Sequence, residues 1–411
     1  MKKRILGIVA SVALLAMSGS NLWATNGAQL IGFTAINESL GGSGTAAPQD
    51  VSTILLNPAG LTELPMRADF TVDFAFPKSQ MNSSAAPAGN PAGVSNSIDD
   101  TVVLPGGGFT TPTPLFKGDD GEKKLFVGVA ILPTAGFSVD YPTSRLTPTV
   151  TANAYDTHTF YGLLKIVPSA AYKINDKLSV GVAVHVDHAQ FSTNSALPGT
   201  FAQTSGADRT DDAFGIGVGV GVLYKAFDFL SAGVSYTSEQ FMKDFGLYKD
   251  LLPQGLNFPQ QVNAGLAWTP IDKLLVNTDF RWINWSGATG AFGTSVANGG
   301  LGWQDQYIAL IGAQYQPFDF LVLRAGYNYG RSPIPSGSVF ASQLAIPIGE
   351  QHATAGVGFK LGKMFDVDFS YVRTFSHTVT DNGSQLAGLG AGSFTTQSVN
   401  EVGVQFALNF F

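Results

Sequence analysis

Few side chains in this sequence stand in a reactive constellation, and those that do suit binding better than catalysis. The five histidines are His158, His185, His188, His352 and His377, and only His185 shares one side of an alternating segment with a carboxylate, Asp187. A base so placed needs a nucleophile within hydrogen-bond reach, and no serine is marked out for that part, so no enzyme is expected. No His, Asp and Glu group has metal-ligand spacing, and no cofactor is implied. The chain has no Cys, which removes thiolate chemistry, disulfides and the acylated cysteine of a lipoprotein. Two cations remain as candidates. Arg281 and Arg324 fall on the polar side of alternating segments, where a guanidinium can take a carboxylate head group bidentately. Asp279, Asp187 and Asp368 offer counter-charges in the same phase, so a structural network is the competing reading. A third candidate is apolar: Phe245, Leu247, Leu251, Leu252, Leu256 and Phe258 crowd a connecting segment, either as a capture site for a lipophile or as packing against its neighbours.

The elements that must position these residues are strands. Phe214, Ile216, Val218, Val220, Val222 and Tyr224 form one face of a segment whose other face is Gly215, Gly217, Gly219 and Gly221. One face suits hydrocarbon and the other leaves room in a lumen. The same alternation predicts about fourteen strands, near residues 67–77, 101–116, 124–139, 158–173, 177–191, 211–226, 229–242, 259–269, 274–285, 303–316, 320–331, 351–361, 365–378 and 397–411. Tight turns at Asn175-Asp176-Lys177, Phe227-Asp228, Pro270-Ile271-Asp272-Lys273, Pro317-Phe318-Asp319 and Gly362-Lys363-Met364 alternate with long Gly/Ser/Asn-rich connections near 78–100, 140–157, 192–210, 243–258, 286–302, 332–350 and 379–396. Short periplasmic turns and long extracellular loops are the habit of an outer-membrane barrel. The turn aspartates Asp228, Asp272, Asp319 and Asp366 recur roughly every 45 residues, a period that also suits a propeller. One short and one long connection per period gives a hairpin, whereas a blade needs four strands.

Composition agrees. Only 13% of the 411 residues are charged, Gly reaches 48, and aromatics make up 11%, with no mature apolar run long enough for a membrane helix. The net charge of −7 argues against nucleic acid. Lys2, Lys3 and Arg4 precede an apolar run from Ile5 to Met17, which reads as a cleaved leader over residues 1–24 with the mature chain beginning at Thr25. Residues 25–66 are Gly- and Pro-rich, poorly charged and unsuited to a ladder, which predicts a plug inside the lumen of a barrel formed by residues 67–411. In the third strand, Pro133 and Gly136 interrupt the alternation begun by Leu125, Val127, Val129 and Ile131, so a bulge or gap, or simply the strand's end, belongs there. Trp282, Trp285, Trp303, Tyr327, Tyr329 and Tyr371 sit near strand ends and read as interface girdle or barrel packing. Val402, Val404, Phe406, Leu408 and Phe410 share one phase of the last strand, which leaves the terminal Phe411, the expected assembly signal, in the other.

Several motifs carry a resemblance. Asn26-Gly27, the run Gly41-Gly42-Ser43-Gly44-Thr45-Ala46-Ala47, Asp50-Val51-Ser52-Thr53 and Asn57-Pro58-Ala59-Gly60-Leu61 resemble the N-terminal hatch of the FadL/TodX-type outer membrane hydrocarbon transporters. Trp285-Ser286, Trp303-Gln304-Asp305, Gly312-Ala313-Gln314-Tyr315, Leu323-Arg324-Ala325-Gly326-Tyr327 and Ser332-Pro333-Ile334-Pro335 are similar to its C-terminal half. The resemblance implies a fourteen-stranded barrel plugged by the hatch, moving long-chain fatty acids or aromatic hydrocarbons inward without energy coupling. It further implies capture among the loops, hatch movement at Asn26, Gly27, Asn57, Pro58, Ala59 and Gly60, and release through a lateral gap in the kinked third strand, at Pro133 and Gly136. The expected partners are a hydrophobic small molecule, outer membrane lipid and lipopolysaccharide, and the barrel assembly machinery through the last strand; no nucleic acid is expected, and a monomer is. An open porin for polar solutes and a surface receptor are the other architectures compatible with a barrel, and the apolar plug argues against the first.

Overall fold

The computed structural model describes residues 26–82, 94–98, 101–118, 121–144, 155–194, 204–385 and 390–410. The leader, Thr25 and Phe411 lie outside the described residues. The strands are β1 (Arg67–Asn82), β2 (Val94–Asn96), β3 (Val102–Pro112), β4 (Leu125–Ser144), β5 (Tyr155–Lys173), β6 (Leu178–Thr193), β7 (Asp211–Phe227), β8 (Leu230–Thr237), β9 (Phe241–Met242), β10 (Gln261–Ile271), β11 (Leu274–Ile283), β12 (Gln306–Phe318), β13 (Leu321–Gly330), β14 (Gln351–Leu361), β15 (Phe365–Thr380) and β16 (Phe394–Asn409). Fourteen of them, all but β2 and β9, make one antiparallel sheet in chain order, and β16 closes it on β1 from Arg67↔Asn409 to Asn82↔Phe394. Closure is what lipid requires, because an open edge would leave main-chain groups without partners in hydrocarbon. The propeller reading is thereby excluded.

Alternation sets which way each side chain faces. Along β7, Phe214, Ile216, Val218, Val220, Val222 and Tyr224 are between 44% and 57% exposed, whereas Ala213 and Leu223 on the other face are buried. The hairpins turn tightly where the sequence marks them, with Lys273 at φ 67° and Gly362 at φ 75°. Two boundaries differ from expectation. The segment predicted over 229–242 leaves the wall after Thr237, and its last two residues form β9 against Gly215 and Ile216. Gln240 turns inward there, where its side chain meets Lys165 and its backbone exchanges hydrogen bonds with Phe258. β1 also runs to Asn82, five residues into the expected loop, and carries β2 on its far end.

The plug lies inside the bore. It holds two short helices, α1 (Ala35–Ser39) and α2 (Thr53–Leu56), and a 3-10 turn over Pro58–Glu63, and nearly all of it is buried. Thr34 caps α1 by accepting from Asn37 N, and Asn57 starts the 3-10 turn by accepting from Ala59 N, with Pro58 at its first position. The wall makes room by omitting side chains. A Cβ on Gly221 would lie 2.0 Å from Asn57 Oδ1, one on Gly181 2.3 Å from Ala59 N, one on Gly233 2.3 Å from Thr45 O, and one on Gly326 2.3 Å from Gly41 N. The room left by the glycine face is thus filled by the plug's own backbone.

Candidate functional site

One strand departs from the wall geometry. From Leu125 to Ile131, β4 is paired on both sides, with Phe126–Ile131 facing Pro112–Gly107 of β3. Beyond Ile131 the β3 ladder stops, while pairing to β5 continues through a register shift between Pro133 and Ala135 that leaves Thr134 as the extra residue. Pro133 has no N–H to give, so the ladder loses a donor at this point. Both phases of β4 are then buried, Leu132, Thr134, Ala135, Phe137, Ser138 and Val139 included, which means that this half of the strand has moved off the lipid-facing surface. Pro133 and Gly136 therefore flank an observed bulge.

The freed edge of β4 does not stay empty. Leu30 N donates to Thr134 O at 3.0 Å, Gly136 N donates to Ala28 O at 2.7 Å, and Gln29 bridges to Ala135. The leading segment of the plug thus pairs with the broken strand, which corrects the expectation that this segment cannot enter a ladder. Its Gly and Pro lie mainly after residue 31, and the run Ala28-Gln29-Leu30 is free to extend. Higher up, Ile98 N donates to Asp140 O at 2.8 Å. On the β3 side the wall is tight: a Cβ on Gly106 would come within 2.7 Å of Leu132 Cδ2 and 3.2 Å of Pro133 Cδ.

Above and beside the break lies a packed aromatic cluster. Phe137 and Tyr161 stack at 5.2 Å, Trp285 meets Phe292 and Trp303 at 5.0 Å each and Phe258 at 5.4 Å, and Phe191 meets Tyr248 at 4.9 Å. Phe245, Leu256 and Phe258 are buried in this cluster, and Leu247, Leu251 and Leu252 pack half-buried against it. The loop is therefore both internally packed and part of a continuous apolar body that reaches the plug through Ala28. Gly27, at φ 62°, lets the chain pass the Trp285 ring, since a Cβ there would sit 2.7 Å from Cζ2. Of the ring residues near strand ends, Trp285 and Trp303 belong to this interior, while Tyr327, Tyr329 and Tyr371 face outward as girdle.

The charged candidates are occupied by protein partners. Arg324 Nη1 meets Asp368 Oδ1 at 2.6 Å, the pairing that the competing reading anticipates. Arg281 Nε donates to Asn263 Oδ1 at 2.8 Å and Nη2 to hatch Gly42 O at 3.2 Å. Asp279 accepts from Gly44 N and Thr45 N at 2.8 Å each. Asn57 Nδ2 donates to Thr45 O at 2.9 Å and to Val222 O at 3.0 Å, so it ties two hatch segments to β7. Asn26 lies at the other end of the hatch beside Gln29, and its side-chain amide is buried with no partner among the described residues. On the opposite side of the bore, Glu38 Oε2 accepts from Ser370 Oγ at 2.7 Å and shares a hydrogen bond with Asp73. Burial pushes the Glu38 carboxyl up to about 7, against the lowering effect of those hydrogen bonds.

One residue escaped the sequence reading. Lys165, on the lumen side of β5, meets Asp187 Oδ2 at 3.3 Å and Gln240 Oε1, and its ammonium stands 5.0 Å from the centre of the Phe258 ring. Asp187 is thus claimed by Lys165. A lysine between Leu163, Leu164 and Ile166, Val167 was the available signal, because a charge amid a membrane strand is costly enough to need a reason.

Comparison with known proteins agrees with this geometry. The family model described as outer membrane protein transport protein (OMPP1/FadL/TodX) matches residues 16–410. Among solved structures, the Pseudomonas putida toluene transporter TodX is 17% identical with a TM-score of 0.70, over 92% of this chain and 99% of that one. The Ralstonia pickettii toluene transporter TbuX is 17% identical with a TM-score of 0.67, over 93% and 99%. A Pseudomonas aeruginosa FadL homologue is 16% identical with a TM-score of 0.64, over 96% and 100%. No curated protein sequence matches the chain. A plugged, closed barrel matched by that family's model over nearly its whole length belongs to the OMPP1/FadL/TodX family of outer membrane transport proteins, channels of the outer membrane and not enzymes.

Proposed function

We propose that this channel takes up long-chain fatty acids passively: loops and aromatic cluster capture the ligand, and it leaves sideways through the β3–β4 break once residues 26–30 withdraw. The observation that carries this reading is the broken ladder at Leu132 with the plug's leading strand seated in it. A lipophile crossing a wet pore would forgo roughly 0.8 kcal/mol per methylene, whereas an apolar path from this cluster to the break would keep it out of water. The seal is a few main-chain hydrogen bonds, each worth only about 1 kcal/mol net, so its release is a small step.

Fatty acids are favoured by Lys165, whose ammonium at the edge of the cluster suits a carboxylate. Asp187 and Gln240 hold it in place. The other reading, an aromatic hydrocarbon, is supported by the ring content of the cluster and by the fold shared with toluene transporters. In a deletion strain, uptake of a fatty-acid and alkylbenzene panel separates them. With K165M/D187N, which removes both members of the buried pair, fatty-acid uptake is expected to fall and alkylbenzene uptake to persist; equal uptake of fatty acids by variant and wild type would remove the head-group role. For the exit, G106C/L132C joins the two strands at the break in a chain that has no other Cys. Oxidation should stop uptake of either class and reduction restore it, and undiminished uptake by the cross-linked protein would overturn the lateral path.

A further inference from the structure

Outward positions of a barrel strand face lipid, and a cation left there without a counter-ion needs a partner from outside the protein. Two such cations share one patch. Lys78 on β1 lies in the outward phase with Phe76, and Arg373 on β15 lies in that phase with Phe369 and Tyr371, whereas Val372 and Thr374 are buried. β16 runs between them: Arg373 is opposite Asn400, Asn400 is opposite Phe76, and Lys78 is opposite Ser398. Two strand spacings therefore separate the cations, roughly 10 Å across the sheet. Asn400 Oδ1 accepts from Arg373 Nη1 at 3.0 Å and from Tyr371 Oη at 2.8 Å, which fixes one edge of the guanidinium and leaves its other donors pointing outward.

Neither cation forms an ion pair among the described residues. Of the rim histidines, His377 on β15 is paired with Glu350 at 3.5 Å, and His188, farther round on β6, with Asp212 at 2.8 Å. The level is that of the girdle: Tyr327 and Tyr371 face outward beside the patch, and below it Val402 and Phe406 meet hydrocarbon. Lipid headgroups start at this depth, and their anionic groups are phosphates. A fixed guanidinium grips a phosphate bidentately, and an ammonium adds a point charge.

We propose that Lys78 and Arg373 form a binding site for a phosphorylated glycolipid of the outer leaflet, one headgroup phosphate on each cation. The site lies on the outside of the barrel and does not depend on what passes through it. The test uses the folded full-length protein in detergent, with folding checked by heat-modifiable gel mobility, and counts bound lipid by native mass spectrometry. Diphosphoryl lipid A should bind the wild type, a dephosphorylated analogue should not, and inorganic phosphate at the same concentration should neither bind nor compete. K78A/R373A should weaken binding roughly tenfold or more, as loss of charge-assisted hydrogen bonds predicts. R373K, which keeps charge but loses the fork, should fall between, and K243A on another face should match wild type. Unchanged lipid A binding by folded K78A/R373A overturns the site, as does equal binding of the dephosphorylated lipid.

Discussion

β7 and β4 begin with the same alternation and end in different relations to the plug. In β7 the apolar phase meets lipid from Phe214 to Tyr224, and the inner phase is glycine, so Asn57 and Pro58 press directly on the strand backbone at Gly221. In β4 the alternation holds to Ile131, then Pro133 and Thr134 turn the strand inward, and the plug meets it edge to edge through Ala28 and Leu30. A wall can thus admit a plug by losing side chains or by losing ladder. The first keeps every strand pair and holds the plug firmly. The second leaves a break in the wall that the plug's leading segment covers, with Ile98 bonded higher up the same edge.

The largest expected effect comes from refilling the glycine side. G221L would drive a side chain into Asn57 Oδ1, which a Cβ alone already approaches to 2.0 Å. Overpacking of this kind costs about 1–3 kcal/mol. Because the wall is the stiffer partner, the plug should yield: single-channel currents should rise, and residues 26–66 should become accessible to protease. V220L, on the lipid face of the same strand, should be silent within about 0.5 kcal/mol. A quiet, protease-resistant G221L would mean that the plug is not held by fit to this wall.

A smaller effect, confined to transport, follows from repairing β4. Deleting Thr134 together with P133V removes the extra residue and restores an N–H, which lets β4 continue its pairing. The barrel should be at least as heat-stable as wild type while uptake drops severalfold. Wild-type uptake through the repaired strand would show the bulge to be a packing detail. If stability instead falls with uptake, the inward course of β4 supports the aromatic cluster as well as the exit.

Sequence alone reaches the wall further than the interior, and the reason is physical. A lipid-facing phase must be apolar at every second residue, so strands such as β7, β11 and β14 announce themselves within a residue or two of their ends. Pro133 and Gly136 mark the bulge because each carries a backbone consequence of its own. What holds the plug is not written that way. The Leu30–Thr134 bond joins main-chain atoms, which any residue provides, and the Arg281–Gly42 contact depends on a carbonyl more than two hundred residues away in the chain. Lys165, which the sequence reading passed over, at least left a signal as a charge amid apolar residues; its partner Gln240 left none, since that residue lies beyond the point where β8 leaves the wall.

The smallest effect concerns a third way of meeting the wall. Opposite β7, the plug carries Glu38 against Ser370 of β15 and Asp73 of β1, with Glu401 of β16 and hatch Asp50 also facing it, while the lumen cations Arg67 and Arg324 are taken by Asp69 and Asp368. A glycine notch serves this contact too, since a Cβ on Gly403 would lie 2.7 Å from Glu38 Oε2, but here a proton can act beside it. Burial raises the Glu38 carboxyl from 4.5 to about 7, so the seated plug favours the protonated acid more than the released one does. The resulting stabilisation is complete below about pH 4.5 and is lost as pH rises through about 7. Amide exchange over residues 35–42 should therefore report firmer seating at pH 5.5 than at pH 8, beyond the intrinsic rate change. E38Q keeps an acceptor for Ser370 and removes the charge, and should hold the low-pH protection at both values. If E38Q retains the pH dependence of wild type, the proton acts elsewhere, and seating rests on the glycine fit and the β4 edge alone.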